Sequence, residues 1–152
     1  MNSLRWLTIL PLVLCGCSNI RTSARDGDVV AVQQYLDRGV NPSEASGDGD
    51  TALHWAAQNG HIEVMNLLLA KGADVHRKGT GCGTPLHWAA RTGQIEAARV
   101  LVEHGARVNE TGGDDLTPLH TAASENQARL AEFLLDNGAD VNAARLYNIT
   151  PL

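Results

Sequence analysis

A short motif returns every 33 residues along this 152-residue chain: Thr51-Ala52-Leu53-His54, Thr84-Pro85-Leu86-His87, Thr117-Pro118-Leu119-His120 and Thr150-Pro151-Leu152. Gly72, Gly105 and Gly138 keep the same period, as do Ala56-Ala57, Ala89-Ala90 and Ala122-Ala123. A fixed period of this length marks a supersecondary unit that cannot bury its apolar face alone, so successive copies must stack. The apolar fraction is 43%, with three Trp, two Tyr and one Phe. The core must therefore come from Leu, Val, Ile and Ala, which suits helices packed at close range.

One unit shows how the stacking is encoded. Thr51 has a hydroxyl able to cap a helix, and Pro85 and Pro118 stand where a helix begins well. A helix is expected from Ala52 to Asn59, with Leu53, Ala56 and Ala57 as a small-residue face. Gly60 and Gly93 supply the left-handed residue that ends it, and Asn126 replaces that Gly in the next unit at small cost. A second helix is expected from Ile62 to Ala70, with Leu68 and Leu69 buried between units and Gly72 as its stop. Ala73-Asp74-Val75 then opens an extended loop to the next Thr.

The run Leu53-His54-Trp55-Ala56-Ala57-Gln58-Asn59-Gly60-His61, followed by Leu67-Leu68-Leu69 and Gly72-Ala73-Asp74-Val75, resembles the ankyrin repeat. The resemblance covers 51–83, 84–116 and 117–149, and 150–152 starts a truncated unit. It implies an all-α solenoid of helix-turn-helix units joined by hairpin loops. Aligning Gly27 with Gly60 adds a divergent capping unit at 18–50. Its first helix, Ser18 to Asp26, reads as polar and solvent-facing, and Val29, Val32, Tyr35 and Leu36 fall on its second. Gly79, Cys82, Asp115 and Asn148 stand at loop-tip positions where the family usually has Asp or Gly. These departures bear on hairpin shape and leave the stacking core untouched.

The first residues are of another kind. Arg5 precedes an apolar run from Trp6 to Leu14, then Cys15-Gly16-Cys17. The run is shorter than the roughly 20 residues that cross a bilayer as a helix and has the layout of a secretory signal over 1–16. Leu14-Cys15-Gly16-Cys17 resembles the bacterial lipobox, which implies that Cys17 becomes a lipidated N-terminus. Ser18, where an Asp would favour retention at the inner membrane, implies an outer-membrane lipoprotein facing the periplasm. An ordinary signal peptide or an uncleaved N-terminal helix is the alternative. Cys82 would then be the one remaining free thiol, with no intramolecular disulfide to form.

A net charge of −5 without a basic run argues against nucleic acid. His54, His87 and His120 share one repeat position, but units about 10 Å apart cannot bring two of them to a zinc ligated at about 2 Å. The resemblance implies instead that this His bonds backbone and fixes the turn between units. The carboxylates are scattered, with Asp114-Asp115 the single tight pair, and Gly79-Thr80-Gly81-Cys82-Gly83 has no preceding strand or following Lys to bind phosphate. No catalytic residue, metal, cofactor or small-molecule substrate is expected.

The resemblance places a protein partner along the hairpin tips and the exposed residues of the first helices. Carried over by position, that surface is Asp48, Asp50, Gln58 and Asn59, then Thr80, Arg91 and Thr92, then Asp114, Leu116, Ser124 and Glu125, and finally Tyr147 and Ile149. Arg91, Leu116 and Tyr147 are the expected anchors. Trp55 and Trp88 are assigned to packing. The expected function is a membrane-anchored, non-catalytic scaffold whose concave face captures a protein, such as an envelope toxin or an enzyme held near the envelope. The other readings are a cytosolic or host-directed ankyrin effector, and an envelope hydrolase or metal-binding protein.

Overall fold

The computed structural model describes residues 19–143. Over these residues eight α-helices form four pairs: α1 (Ile20–Asp26) with α2 (Val29–Asp37), α3 (Ala52–Asn59) with α4 (Ile62–Ala70), α5 (Pro85–Thr92) with α6 (Ile95–Glu103), and α7 (Pro118–Ser124) with α8 (Ala128–Asp136). The chain is all-α, and each pair packs on the next in order.

The first helix of a unit starts in the same way three times. Thr51, Thr84 and Thr117 hold extended backbone at the N-cap, and each donates its N–H to Nδ1 of the His three residues on, at 3.1, 3.1 and 3.2 Å. Pro85 and Pro118 occupy the first turn, where a missing N–H costs nothing. The helices end at Gly60 and Gly93 with φ of 71° and 72°, and Asn126 takes φ 57° in the third copy. Asn supports that left-handed turn as expected, because its short polar side chain tolerates the region.

First helices approach one another closely because Ala52, Ala56, Ala57, Ala89, Ala90 and Ala122 form the seams, all fully buried. Leu53, Leu86 and Leu119 fill the space beneath them. The second helices bury Val64, Met65 and Leu68, then Ala97, Ala98 and Leu101, then Leu130, Ala131 and Leu134. Leu69, expected to bury with Leu68, is half-buried, since the next residue round the helix rotates off the seam.

The N-terminal helix corrects another expectation. It is not polar throughout: Ile20, Ser23 and Ala24 are buried, and α1 packs on α3, while Arg25 and Asp26 face outward. The helix starts at Ile20, where Asn19 Oδ1 accepts the N–H groups of Arg21 and Thr22. One small-residue face suffices to extend the stack.

Hairpins of like shape link the units. Ser46, Gly79 and Gly112 donate N–H to the carbonyls of Asp50, Gly83 and Leu116 at 2.9, 2.9 and 2.7 Å. The departures at Cys82 and Asp115 preserve this closure. These two residues adopt φ of 55° and 56°, the region that Gly49 occupies at 88° in the first hairpin. A side chain in this region costs roughly 1 kcal/mol, and less for Asp. Replacing Asp115 with Gly relieves that cost but adds unfolded-chain entropy, so unfolding free energy is expected to rise by no more than about 0.5 kcal/mol, read as a slightly higher urea midpoint at unchanged slope. A lower midpoint would mean that the Asp115 side chain contributes more than its backbone costs.

Candidate functional site

The hairpin tips are held by polar contacts that cross from unit to unit. Because His54 Nδ1 accepts the Thr51 N–H, its proton sits on Nε2, which donates to the Gly83 carbonyl at 3.1 Å. His87 repeats this toward Leu116 at 2.9 Å. The imidazole thus fastens the start of one helix to the closing residue of the following hairpin, the role implied by the resemblance. Burial lowers the pKa of both rings. The carbonyl bonds oppose this in part, as does the charge of Asp50 at His54. Protonation would put a hydrogen on Nδ1 facing a Thr N–H, so the fold needs the neutral form.

Asp50 was expected on the contact surface, and the structure removes it from there. Its side chain is buried at 7% exposure, and its carboxylate accepts the Thr80 N–H at 2.7 Å and the Thr80 hydroxyl at 2.8 Å. It clamps the second hairpin to the first. The next seam is fastened differently: Lys78 Nζ reaches Glu110 at 3.2 Å and donates to the Thr111 carbonyl at 2.7 Å. Lys78, and then Arg107, hold the Glu110 carboxyl below its usual range by hydrogen bonding.

The other expected contact residues divide into two groups. Asp48, Asp114 and Glu125 are exposed. Asn59, Thr92 and Ser124 are also exposed, but spend polar groups on neighbouring carbonyls: Asn59 on Trp55 at 2.9 Å, Thr92 on Gln58 at 2.7 Å and Ser124 on Thr121 at 3.0 Å. Gln58 itself is half-buried. Cys17, Tyr147 and Ile149 lie outside the described residues.

Thr80, Arg91 and Leu116 come together. They border a groove of about 190 Å³ between the second and third hairpins, with Trp88 and Thr121 also lining it. Trp88 is 7% exposed and stacks edge-on against Trp55, with centroids 5.1 Å apart at 82°. The Arg91 guanidinium lies 5.2 Å from the Trp88 ring centre, a cation–π geometry. Trp88 therefore both packs, as assigned, and forms part of the recess. Asp48 lines a separate depression of about 230 Å³ with Arg21, Arg25 and Trp55. Thr121, Gly112 and Gly113 were not singled out from sequence, and Gly81 and Gly83 were weighed only as a phosphate loop.

Two measurements test this arrangement. Asp50→Ala removes a charged acceptor of two hydrogen bonds, so unfolding free energy is expected to fall by about 1.5–3 kcal/mol, measured by urea denaturation. The buried imidazoles set a pH dependence. A base whose folded pKa is depressed binds fewer protons folded than unfolded, so its stabilisation is complete above the unfolded value near 6.5 and is lost as pH falls toward the folded value. Each ring adds a slope of up to about 1.4 kcal/mol per pH unit in that window. Denaturation between about pH 7 and pH 5 should show this, with a shallower slope in His87→Gln. Equal slopes in the two proteins would count against a neutral buried His87.

Comparison with known families agrees with the repeat geometry. A model described as ankyrin repeats (3 copies) matches residues 78–145, and a single ankyrin-repeat model matches residues 48–80. No match to a curated protein was found. The pair α1 and α2 precedes the matched residues but stacks on them through the same kind of seam. The chain belongs to the ankyrin-repeat family, whose repeats commonly act as non-catalytic scaffolds for protein partners.

Proposed function

We propose that this protein is a scaffold held at the bacterial envelope by an acylated Cys17, binding a partner protein across its hairpin tips and first helices. The observation that carries the binding face is the groove formed by Thr80, Trp88, Arg91 and Leu116. It spans two units whose hairpins are already fastened by His54, His87 and Asp50, so little ordering remains to oppose binding. Arg91 over Trp88 joins the two side chains most often found as energetic anchors.

Support for the anchor comes from the sequence: Arg5, the apolar run and Leu14-Cys15-Gly16-Cys17. No helix of the described residues is long and apolar enough to cross a membrane. A diacylglycerol on Cys17 would supply the two chains that stable anchoring needs. With Ser18 following the acylated Cys, the scaffold would face the periplasm from the outer membrane, where capture of an envelope toxin or retention of an enzyme are suitable tasks.

Intact mass and membrane fractionation of the native protein beside Cys17→Ala test the anchor. The expected mature species starts at Cys17, carries added acyl mass and sediments with membranes, whereas the variant does not. An unprocessed soluble species would move the partner search to the cytosol. Cross-linking in envelope preparations tests the face: a partner joined to the native chain should be lost in Arg91→Glu and Leu116→Asp. A partner retained by both variants would place binding elsewhere.

A further inference from the structure

The groove exists because the 33-residue pattern breaks twice at one place. The residue before the repeat Thr is Asp50 in the first hairpin and Leu116 in the third, but Gly83 in the second. At the fourth helical position, Trp55 and Trp88 are followed by Thr121. Gly83 therefore leaves open the space above one edge of the Trp88 indole, and the small Thr121 leaves open the neighbouring side. A methyl group built on Gly83 would meet Trp88 Cδ1 and Nε1 at 3.5 Å, which places the indole N–H edge beside that opening.

Two donors face this space without an acceptor. Trp88 Nε1–H makes no hydrogen bond among the described residues, although the side chain is 93% buried by its 7% exposure. Arg91 stacks on the indole face and makes no ion pair among the described residues. Arg91 is also the sole charged group lining the groove, since burial holds His87 toward its neutral form. Its equivalents in the flanking units are Gln58 and Ser124, and the position carries a cation again only in the first unit, at Arg25. Gly81, Gly83, Gly112 and Gly113 also line the groove, with Gly112 and Gly113 lying close against Cys82, Gly83 and Gly81 of the preceding hairpin.

We infer that this groove binds an extended peptide segment of the partner, taking an internal Asp or Glu carboxylate on the Arg91 guanidinium and the Trp88 indole N–H. An apolar side chain next to that carboxylate packs on the exposed rim of Trp88 and on Leu116. The inference rests on the binding reading above and adds the chemistry of the recognised segment. Unlike charge and unpaired donors supply the complementarity.

The test uses the full chain in detergent and two bead-bound peptide libraries, acetylated and amidated, with Glu or Gln fixed at the centre and flanking positions randomised. The Glu library should retain about tenfold more protein, with Leu, Ile or Val enriched beside the Glu. Arg91→Gln should abolish the Glu preference. Gly83→Leu is a second block: φ −76° and ψ 139° suit any residue, and its Cβ contacts begin at an ordinary 3.4 Å, so the fold is kept while the side chain fills the groove. Retention should fall to background in that variant. Equal retention of both libraries, a Glu preference that survives either substitution, or equal retention of Gln-centred peptides bearing a free C-terminal carboxylate would overturn the inference. The binding face itself would still stand if cross-linking remained sensitive to Leu116→Asp.

Discussion

Everything above the helix seams depends on one hydrogen bond, from a buried imidazole to the carbonyl that closes the next hairpin. Small-residue seams hold the first helices together, but they do not fix where a projecting five-residue loop points. The bonds from His54 to Gly83 and from His87 to Leu116 do so, at both seams where the geometry is described. Each ring is oriented in turn by a Thr N–H on its other nitrogen. Helix start, unit seam and hairpin are thereby one coupled element. The surface carried by the tips inherits its rigidity from a neutral base in the interior, which ties the exposed face to pH through buried groups.

Beyond that shared bond one fastener recurs, the Asp74 N–H on Ser43 Oγ in the first seam and the Asp140 N–H on Asn109 Oδ1 in the third, and the others differ. The first uses the Asp50 carboxylate on Thr80, the second Lys78 with Glu110 and the Thr111 carbonyl, and the third Asn109 with the Gly138 carbonyl and the Asp140 N–H. A stack whose units touch only neighbours permits this, because a change at one seam is not transmitted to the rest. The buried Ala and Leu positions repeat, since every seam must meet the same spacing. The polar fasteners vary, since each needs only to satisfy its own two loops.

That division explains what could be read from the chain alone. The bounds of α3 and α4 were legible to the residue, because Thr51, Gly60 and Gly72 act locally and period 3.6 sets the buried face. The left-handed turn at Asn126 followed from the same local chemistry. Asp50 was misplaced because its acceptor role depends on Thr80, 30 residues away in a neighbouring loop, and no periodic signal marks that contact. The N-terminal helix was misread because its polar composition hides Ile20, Ser23 and Ala24 on one face. Arg91, Leu116 and Thr80 were nameable by position, but their convergence was not, since it depends on the missing side chain at Gly83 and the small one at Thr121. The signal lay in departures from the repeat rather than in the repeat.

A recess placed at such a departure costs the fold little. In a single-core protein, removing a Trp and a large side chain from facing positions would leave a cavity and a penalty that grows with its volume. Here the two small residues stand at the rim of the stack, and the void opens to solvent instead of into the core. Beneath it, Leu86 and Ala89 remain fully buried, and Trp88 keeps its edge contacts with His54 and Trp55. The seam loses contact area at its margin while the imidazole bond holds the hairpins on both sides in place. Variation there is therefore nearly free of folding consequences, which is the condition under which a repeat surface can acquire one distinctive recess without disturbing the array that carries it.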